Sequence, residues 1–122
     1  MIGCGVDIIE IDRIALAIKK PRFIQRIYTA EEQQLLHSRP VQSWAARFAA
    51  KEAVMKALGC GWQQGVRFRD IEILQEQSGK PVARLKGQAW EIAHTQGVTA
   101  IHLSLSHNRT VAIAYAVCVG GG

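Results

Sequence analysis

Glu52 sits where an ordinary amphipathic helix has no use for a charge. In the stretch Arg47 to Gly59, R-F-A-A-K-E-A-V-M-K-A-L-G, Trp44, Phe48 and Met55 lie at helical spacing. Glu52 falls inside that apolar stripe, one turn after Phe48 and one turn before Lys56. Taking an anion out of water costs several kcal/mol unless a cation or a metal compensates. The position therefore calls for a pairing with Lys51 or Lys56, or for a metal ligand. A second acid with the same problem is Asp7, in the run Ile2-Gly3-Cys4-Gly5-Val6-Asp7-Ile8-Ile9. Strict alternation puts Ile2, Cys4, Val6 and Ile8 on one face of a short buried strand and Asp7 with Gly3 and Gly5 on the other. Two glycines beside an acid clear space over the backbone, as a ligand lying against the strand requires. Hard cations such as Mg2+ take one or two carboxylates and complete their shell with water and phosphate oxygens. With Lys56 on the helical face of Glu52, the residues describe a metal and phosphate site. The plainer alternative is an acid that ties down a turn and a helical ion pair.

Charge defines a second feature. The net charge is +5, and Arg13, Lys19, Lys20, Arg22 and Arg26 form one segment without an acid, while the other ten basic residues are matched by ten acids. On a helix beginning near Asp12, Ile11, Ile14 and Ile18 make the inward stripe, leaving Arg13, Leu16, Ala17 and Lys20 on another face. A basic face with a small apolar centre suits an acidic amphipathic helix, because charge steers the encounter and apolar contact gives residence. The competing reading is a solvated face that maintains solubility.

The elements that must position these groups are legible in outline. At 122 residues and 48% hydrophobic, the chain reads as one compact domain over 1–122, and no apolar run reaches the length of a membrane span. Met1 to Asp7 lacks the basic start of a signal peptide. Cys4, Cys60 and Cys118 are odd in number and scattered, which fits reduced cysteines in a cytoplasmic chain. Thr29 with Glu32 is a capping box opening a short helix through Leu36, and the main helix runs from about Ser43 to Leu58, stopping at Gly59. Val66 to Leu74 alternates as a strand that Ser78-Gly79-Lys80-Pro81 returns through Val82 to Leu85, followed by a helix over Gln88 to Thr95. Ile101 to Leu105 and Val111 to Val119 pair as a hairpin around Asn108-Arg109. The layout is α+β, a small antiparallel sheet with packed helices. His107 closes a strand beside Ser106, placed to donate to a phosphate or simply to cap a surface turn. His37, His94 and His102 have no metal-ligand spacing. Gly59 and Gly61 lack a Walker pattern, and Gly61-Trp62-Gln63-Gln64 and the glycine tail carry no assigned role.

Gly5-Val6-Asp7-Ile8 near the start, Arg47-Phe48-Ala49-Ala50-Lys51-Glu52-Ala53 with Lys56 in the middle, and Ser104-Leu105-Ser106-His107 near the end resemble the bacterial holo-[acyl-carrier-protein] synthases, small 4'-phosphopantetheinyl transferases. The likeness runs in order along nearly the whole chain, and the middle motif is the most specific part. It implies the fold of that family. It also implies transfer of the 4'-phosphopantetheine arm of coenzyme A to a serine of apo acyl carrier protein, leaving adenosine 3',5'-bisphosphate. On this resemblance Mg2+ is held by Asp7 and Glu52 with the pyrophosphate. Glu52 and Lys56 are expected to serve catalysis, with the serine proton going to Glu52 or to a metal-bound water, and Arg47, Lys56, Ser106 and His107 to contact coenzyme A. Arg13, Leu16, Ala17, Lys20, Arg22 and Arg26 receive the acidic carrier. Relatives of this short form are homotrimers with coenzyme A between subunits, which is how a chain this small obtains a concave site.

Two other classes compete. A basic nucleic-acid module would spread charge along a groove and interleave exposed aromatics, whereas here only Phe23 and Tyr28 lie near the basic segment. A non-catalytic carrier-binding subunit would not need Asp7 and Glu52 together. The reading is an enzyme, with no nucleic acid and no membrane as partner.

Overall fold

The computed structural model describes residues 1–121; Gly122 of the glycine tail lies outside the described residues. The elements follow in the order β1 (Gly3–Glu10), α1 (Ile11–Ala17), α2 (Pro21–Ile27), α3 (Ala30–Leu36), α4 (Val41–Leu58), β2 (Ile71–Gln75), β3 (Pro81–Leu85), α5 (Gly87–Gln96), β4 (Val98–His107) and β5 (Val111–Gly120). Short 3-10 turns at Trp62–Gln64 and Phe68–Asp70 join α4 to β2. One antiparallel sheet has the order β1-β5-β4, and β2 with β3 forms a separate antiparallel pair. The α+β layout, the capping box at Thr29 and the β4-β5 hairpin agree with the sequence reading. In that hairpin, the Asn108 side-chain oxygen accepts from the Thr110 and Val111 amides.

Helix α4 runs 18 residues over the sheet and ends where Gly59 takes the left-handed conformation, with φ of 67°. Its buried side is made of short side chains, Ala45, Ala46, Ala49, Ala50, Ala53 and Ala57, facing Ala112, Ala114 and Ala116 of β5, all nearly or wholly buried. Such residues let helix and sheet approach closely. Gly3 and Gly5 complete the seam. A Cβ on Gly3 would fall on the Ala57 carbonyl oxygen, and one on Gly5 on that of Ala53. The space cleared by these glycines is therefore occupied by the backbone of α4 and not by a ligand, which corrects the sequence reading. Gly5→Ala is expected to push α4 off β1 and destabilise the protein by about 1–3 kcal/mol. A melting temperature equal to the parent would show the seam to be looser than this.

The two faces of β1 are those the alternation predicts, but the strand expected to be buried is covered only on the glycine face. Gly5 and Ile9 face α4, while Val6 and Ile8 are 51% and 60% exposed, with Ile113 and Tyr115 of β5 beside them at 38% and 43%. The apolar face of the strand is the outer surface of this chain. The aromatic stripe of α4 also turns elsewhere than to the sheet: Phe48 stacks on Phe68 at 5.3 Å and on Phe23 of α2 at 6.0 Å between ring centroids. Tyr28 meets Trp44 edge-on at 5.0 Å, and its hydroxyl donates to the Trp44 carbonyl. This cluster docks the basic helix α2 beside the turn of α4 that carries Glu52.

Two boundaries differ from expectation. The first helix begins at Ile11, near the expected start, but Glu10 and not Asp12 is at the cap, and it breaks after Ala17 before Pro21 starts α2. The expected strand over Val66 to Leu74 is a strand only from Ile71. The Asp70 carboxylate accepts from the Arg67 amide and guanidinium, and this winds Phe68–Asp70 into a 3-10 turn.

Candidate active site

Because α4 lies so close to β1, the acid of one is brought to the base of the other. Lys56 Nζ donates to Asp7 Oδ1 at 2.9 Å and to the Val6 carbonyl at 3.0 Å. The side chains are 55% and 13% exposed, so the pair stands at the surface with its lysine in solvent. Asp7 raises the Lys56 pKa, first through this hydrogen bond. Glu52, one turn earlier on α4, is half-buried. Desolvation first and the Asp7 carboxylate second hold its carboxyl above the ordinary glutamate value, with Lys56 and Arg13 pulling the other way. Neither pairing considered for Glu52 forms, since Lys51 is taken by Glu32 and Lys56 by Asp7.

Asp7 and Glu52 are thus two carboxylates that repel one another, and the cations acting on Glu52 are Lys56, which is bonded to Asp7, and Arg13. A divalent cation removes that repulsion, and the donor set is the hard oxygen type that Mg2+ takes. Among the described residues no group of three or more His, Cys, Asp or Glu is arranged to hold a metal. Asp7 and Glu52 would give such a cation two ligands and leave its remaining positions to other oxygens. Glu52 also forms part of the wall of a 470 Å³ cavity lined by Arg26, Met55, Trp62, Val66, Phe68 and Arg69 among others. The cavity opens between α2 and the 3-10 turns that follow α4.

The remaining sequence candidates do not join this cluster within one chain. Arg47 lies five residues before Glu52, which is about 140° around the helix. It is 6% exposed, and its Nη2 donates to Gln75 Oε1 of β2 at 3.0 Å. Arg39 Nη1 donates to the same oxygen at 3.1 Å. Two guanidinium groups therefore converge on one neutral acceptor, and the buried Arg47 Nε has no partner. Burial and the neighbouring Arg39 lower the Arg47 pKa. Sequence reasoning missed Arg39 and Gln75, because nothing in local spacing brings β2 to the start of α4. His107 stands opposite Ala112 on the sheet face that carries Asp7, whereas Ser106 stands opposite Ile113 on the outer apolar face. Arg13, Leu16, Lys20, Arg22 and Arg26 are exposed and Ala17 half-buried, so the basic face exists, divided between α1 and α2.

The fold is a small α+β one in which a helix close over an antiparallel sheet sets two acids and a lysine at their junction. The chain belongs to the 4'-phosphopantetheinyl transferase superfamily, whose family model matches residues 3–116. It is 48% identical to the holo-[acyl-carrier-protein] synthase of Ruminiclostridium cellulolyticum, over 93% of this chain and 88% of that one. The Helicobacter pylori holo-[acyl-carrier-protein] synthase, solved in complex with coenzyme A, superposes with a TM-score of 0.84 at 31% identity, covering 95% of this chain and 99% of that one. The Bacillus anthracis holo-(acyl-carrier-protein) synthase, in complex with CoA (3',5'-ADP), gives 0.82 at 33% identity, covering 98% and 97%. The fold expected from the sequence and the class of enzyme are those of these relatives.

Proposed function

We propose that this chain transfers the 4'-phosphopantetheine arm from coenzyme A to a serine of apo acyl carrier protein, releasing adenosine 3',5'-bisphosphate, with Mg2+ held by Asp7 and Glu52. The observation that carries the reading is the junction of β1 and α4, which sets two mutually repelling carboxylates beside Lys56. The coenzyme A bound by the Helicobacter pylori relative and the CoA (3',5'-ADP) of the Bacillus anthracis relative support the donor and the product.

In the reaction the serine Oγ forms a bond to the phosphorus of the phosphopantetheine, and the bond from that phosphorus to the bridging oxygen of the nucleotide breaks. Bound Mg2+ supplies neutralisation of charge on the pyrophosphate oxygens. The rest falls to the protein. Lys56, held at the edge of the site by Asp7, faces solvent with donors left for a phosphate oxygen. The Glu52 carboxylate takes the serine proton as the new bond forms. Arg47, with the added Arg39, is a cation pair without a carboxylate partner and fits the nucleotide phosphates, joined by His107 and the Ser106 hydroxyl. Since these groups do not meet Asp7 and Glu52 within one chain, the complete site forms between subunits. The exposed outer face of β1 and β5 is the surface for that assembly, in line with a homotrimer. Among the described residues no helix is long and apolar enough to cross a membrane. The exposed basic face of Arg13, Leu16, Ala17, Lys20, Arg22 and Arg26 receives the acidic carrier.

Incubation with coenzyme A, Mg2+ and apo carrier, followed by intact-mass measurement, should show the carrier heavier by one phosphopantetheine. An unchanged mass sinks the reading. The two basic residues separate by kinetics: Lys56→Ala is expected to lower kcat by roughly a hundredfold if its charge serves the transition state. His107→Ala should raise KM for coenzyme A by about tenfold, and much less with dephospho-coenzyme A. The reverse pattern would exchange their roles.

A further inference from the structure

Trp62 is 81% exposed, and nothing in the transfer chemistry above uses it. It does not hang on a loose loop. The Gly61 amide donates to Gln64 Oε1 at 2.8 Å, the Gly65 amide to the Trp62 carbonyl at 3.0 Å, and the Val66 amide to the Gly61 carbonyl at 3.2 Å. Left-handed glycines at 59 and 65, with φ of 67° and 84°, bracket the turn. A large indole held out in water by a fixed backbone is an apolar surface without a partner.

Its neighbours are cationic. Trp62, Arg67 and Arg69 line one part of the 470 Å³ cavity whose wall includes Glu52, and Arg26 of α2 lines another. Arg67 and Arg69 also line an adjoining 220 Å³ hollow with Lys86, so positive charge continues beyond the cavity. Of the carboxylates nearby, Asp70 is buried and engaged by Arg67 and its amide, Glu72 is buried and meets Lys86 at 3.5 Å, and Glu52 lies in the cavity wall. Among the described residues Arg26 and Arg69 form no ion pair. The sequence shows only the Arg13 to Arg26 run as an excess of positive charge; the fold extends it across the cavity with Arg67 and Arg69.

We propose that Trp62, Arg67 and Arg69 form a second limb of the docking surface for the acidic carrier, facing α1 and α2 across the cavity that leads to Glu52. This rests on the transferase reading above. A serine delivered to Glu52 must pass the mouth of that cavity, so its carrier lies over both sides. Carboxylates of an acidic helix meet Arg69 and the free donors of Arg67, and an apolar side chain of the carrier covers the indole. Such an arrangement matches rim charge to rim charge around an aromatic anchor.

Initial rates measured with the assembled protein, varying apo carrier and coenzyme A separately at low and high salt, test it against Arg13→Glu as the reference for α1. Arg69→Glu is expected to raise KM for the carrier by about tenfold, with a defect that shrinks as salt rises. Trp62→Ala should raise the same KM by roughly three- to tenfold with little salt dependence. KM for coenzyme A should stay within about twofold in both. Unchanged carrier KM in both variants, with Arg13→Glu still defective, overturns the second limb and leaves docking to α1 and α2. A raised KM for coenzyme A instead assigns the segment to the nucleotide. Loss of the oligomer in Trp62→Ala, seen by sedimentation, makes the indole a subunit contact. Wild-type protein that leaves the carrier mass unchanged removes the transferase reading and this inference together.

Discussion

Asp7→Ala and Glu52→Ala are each expected to cut transfer by about a thousandfold while leaving the protein folded. The size follows from the work proposed for the cation, since the pyrophosphate keeps its full charge when a ligand is lost. The retained fold follows from the geometry. Removing Asp7 strands only Lys56, whose side chain is 55% exposed and returns to water. Removing Glu52 takes away a carboxylate that burial and Asp7 already disfavour. Metal-free Glu52→Ala should therefore melt at or slightly above the parent temperature, a trade of stability for activity common at catalytic sites. Added Mg2+ should raise the melting temperature of the parent but not of Glu52→Ala, because only a bound ion stabilises the native state. Excess Mg2+ should restore part of the Asp7→Ala activity, as substrate oxygens and water hold the other positions. Near-normal turnover of either variant at ordinary Mg2+ would rule the metal assignment out.

The second large effect is on stability. Lys51 and Glu32 are both fully buried and bonded at 2.7 Å. The lysine also donates to the carbonyls of Ile71 at 2.6 Å and Phe68 at 3.1 Å, which uses all three of its donors. Glu32 accepts from Thr29 N at 2.9 Å and Ile73 N at 2.8 Å. One knot thus joins α4, the start of α3, the second 3-10 turn and β2. Lys51→Met leaves a buried carboxylate without its cation, a loss of about 3–5 kcal/mol. For a chain of this size the melting temperature should fall by roughly 10 to 20 °C. Adding Glu32→Gln removes the stranded charge and should recover part of that loss. If Lys51→Met unfolds with the parent, the pair contributes little to stability.

Much of the frame was legible because its signals are local. The left-handed Gly59 ends α4 where the sequence stops it, and Thr29 with Glu32 forms the capping box that its spacing announces. What was hidden depends on distant partners. The capping box gives Glu32 a job at a helix start, and nothing nearby reveals that Lys51 shares it. Alternation in β1 sorted the residues into two faces correctly, yet period two cannot say which face meets a helix. The expected burial of the strand fails on its apolar face because the seam with α4 is built from glycine and alanine. Of the candidate site, Asp7, Glu52 and Lys56 were read from misplaced charge and do come together. Arg39 was not, because its relation to Arg47 passes through Gln75 of β2.

The glycine and alanine seam acts as a spacer of fixed thickness between the two carboxylates. Backbone rests on backbone there, so no long side chain is available to change rotamer and take up an error. Any added methyl must translate the whole of α4 and open the gap between Asp7 and Glu52. In a library selected for turnover, Gly3, Gly5, Ala53 and Ala57 should tolerate almost nothing larger, although none of them touches the reacting groups. Adjustment of that gap by engineering is open only through replacement of the acids themselves, Asp by Glu or Glu by Asp. The plainest residues in the chain set its calibration.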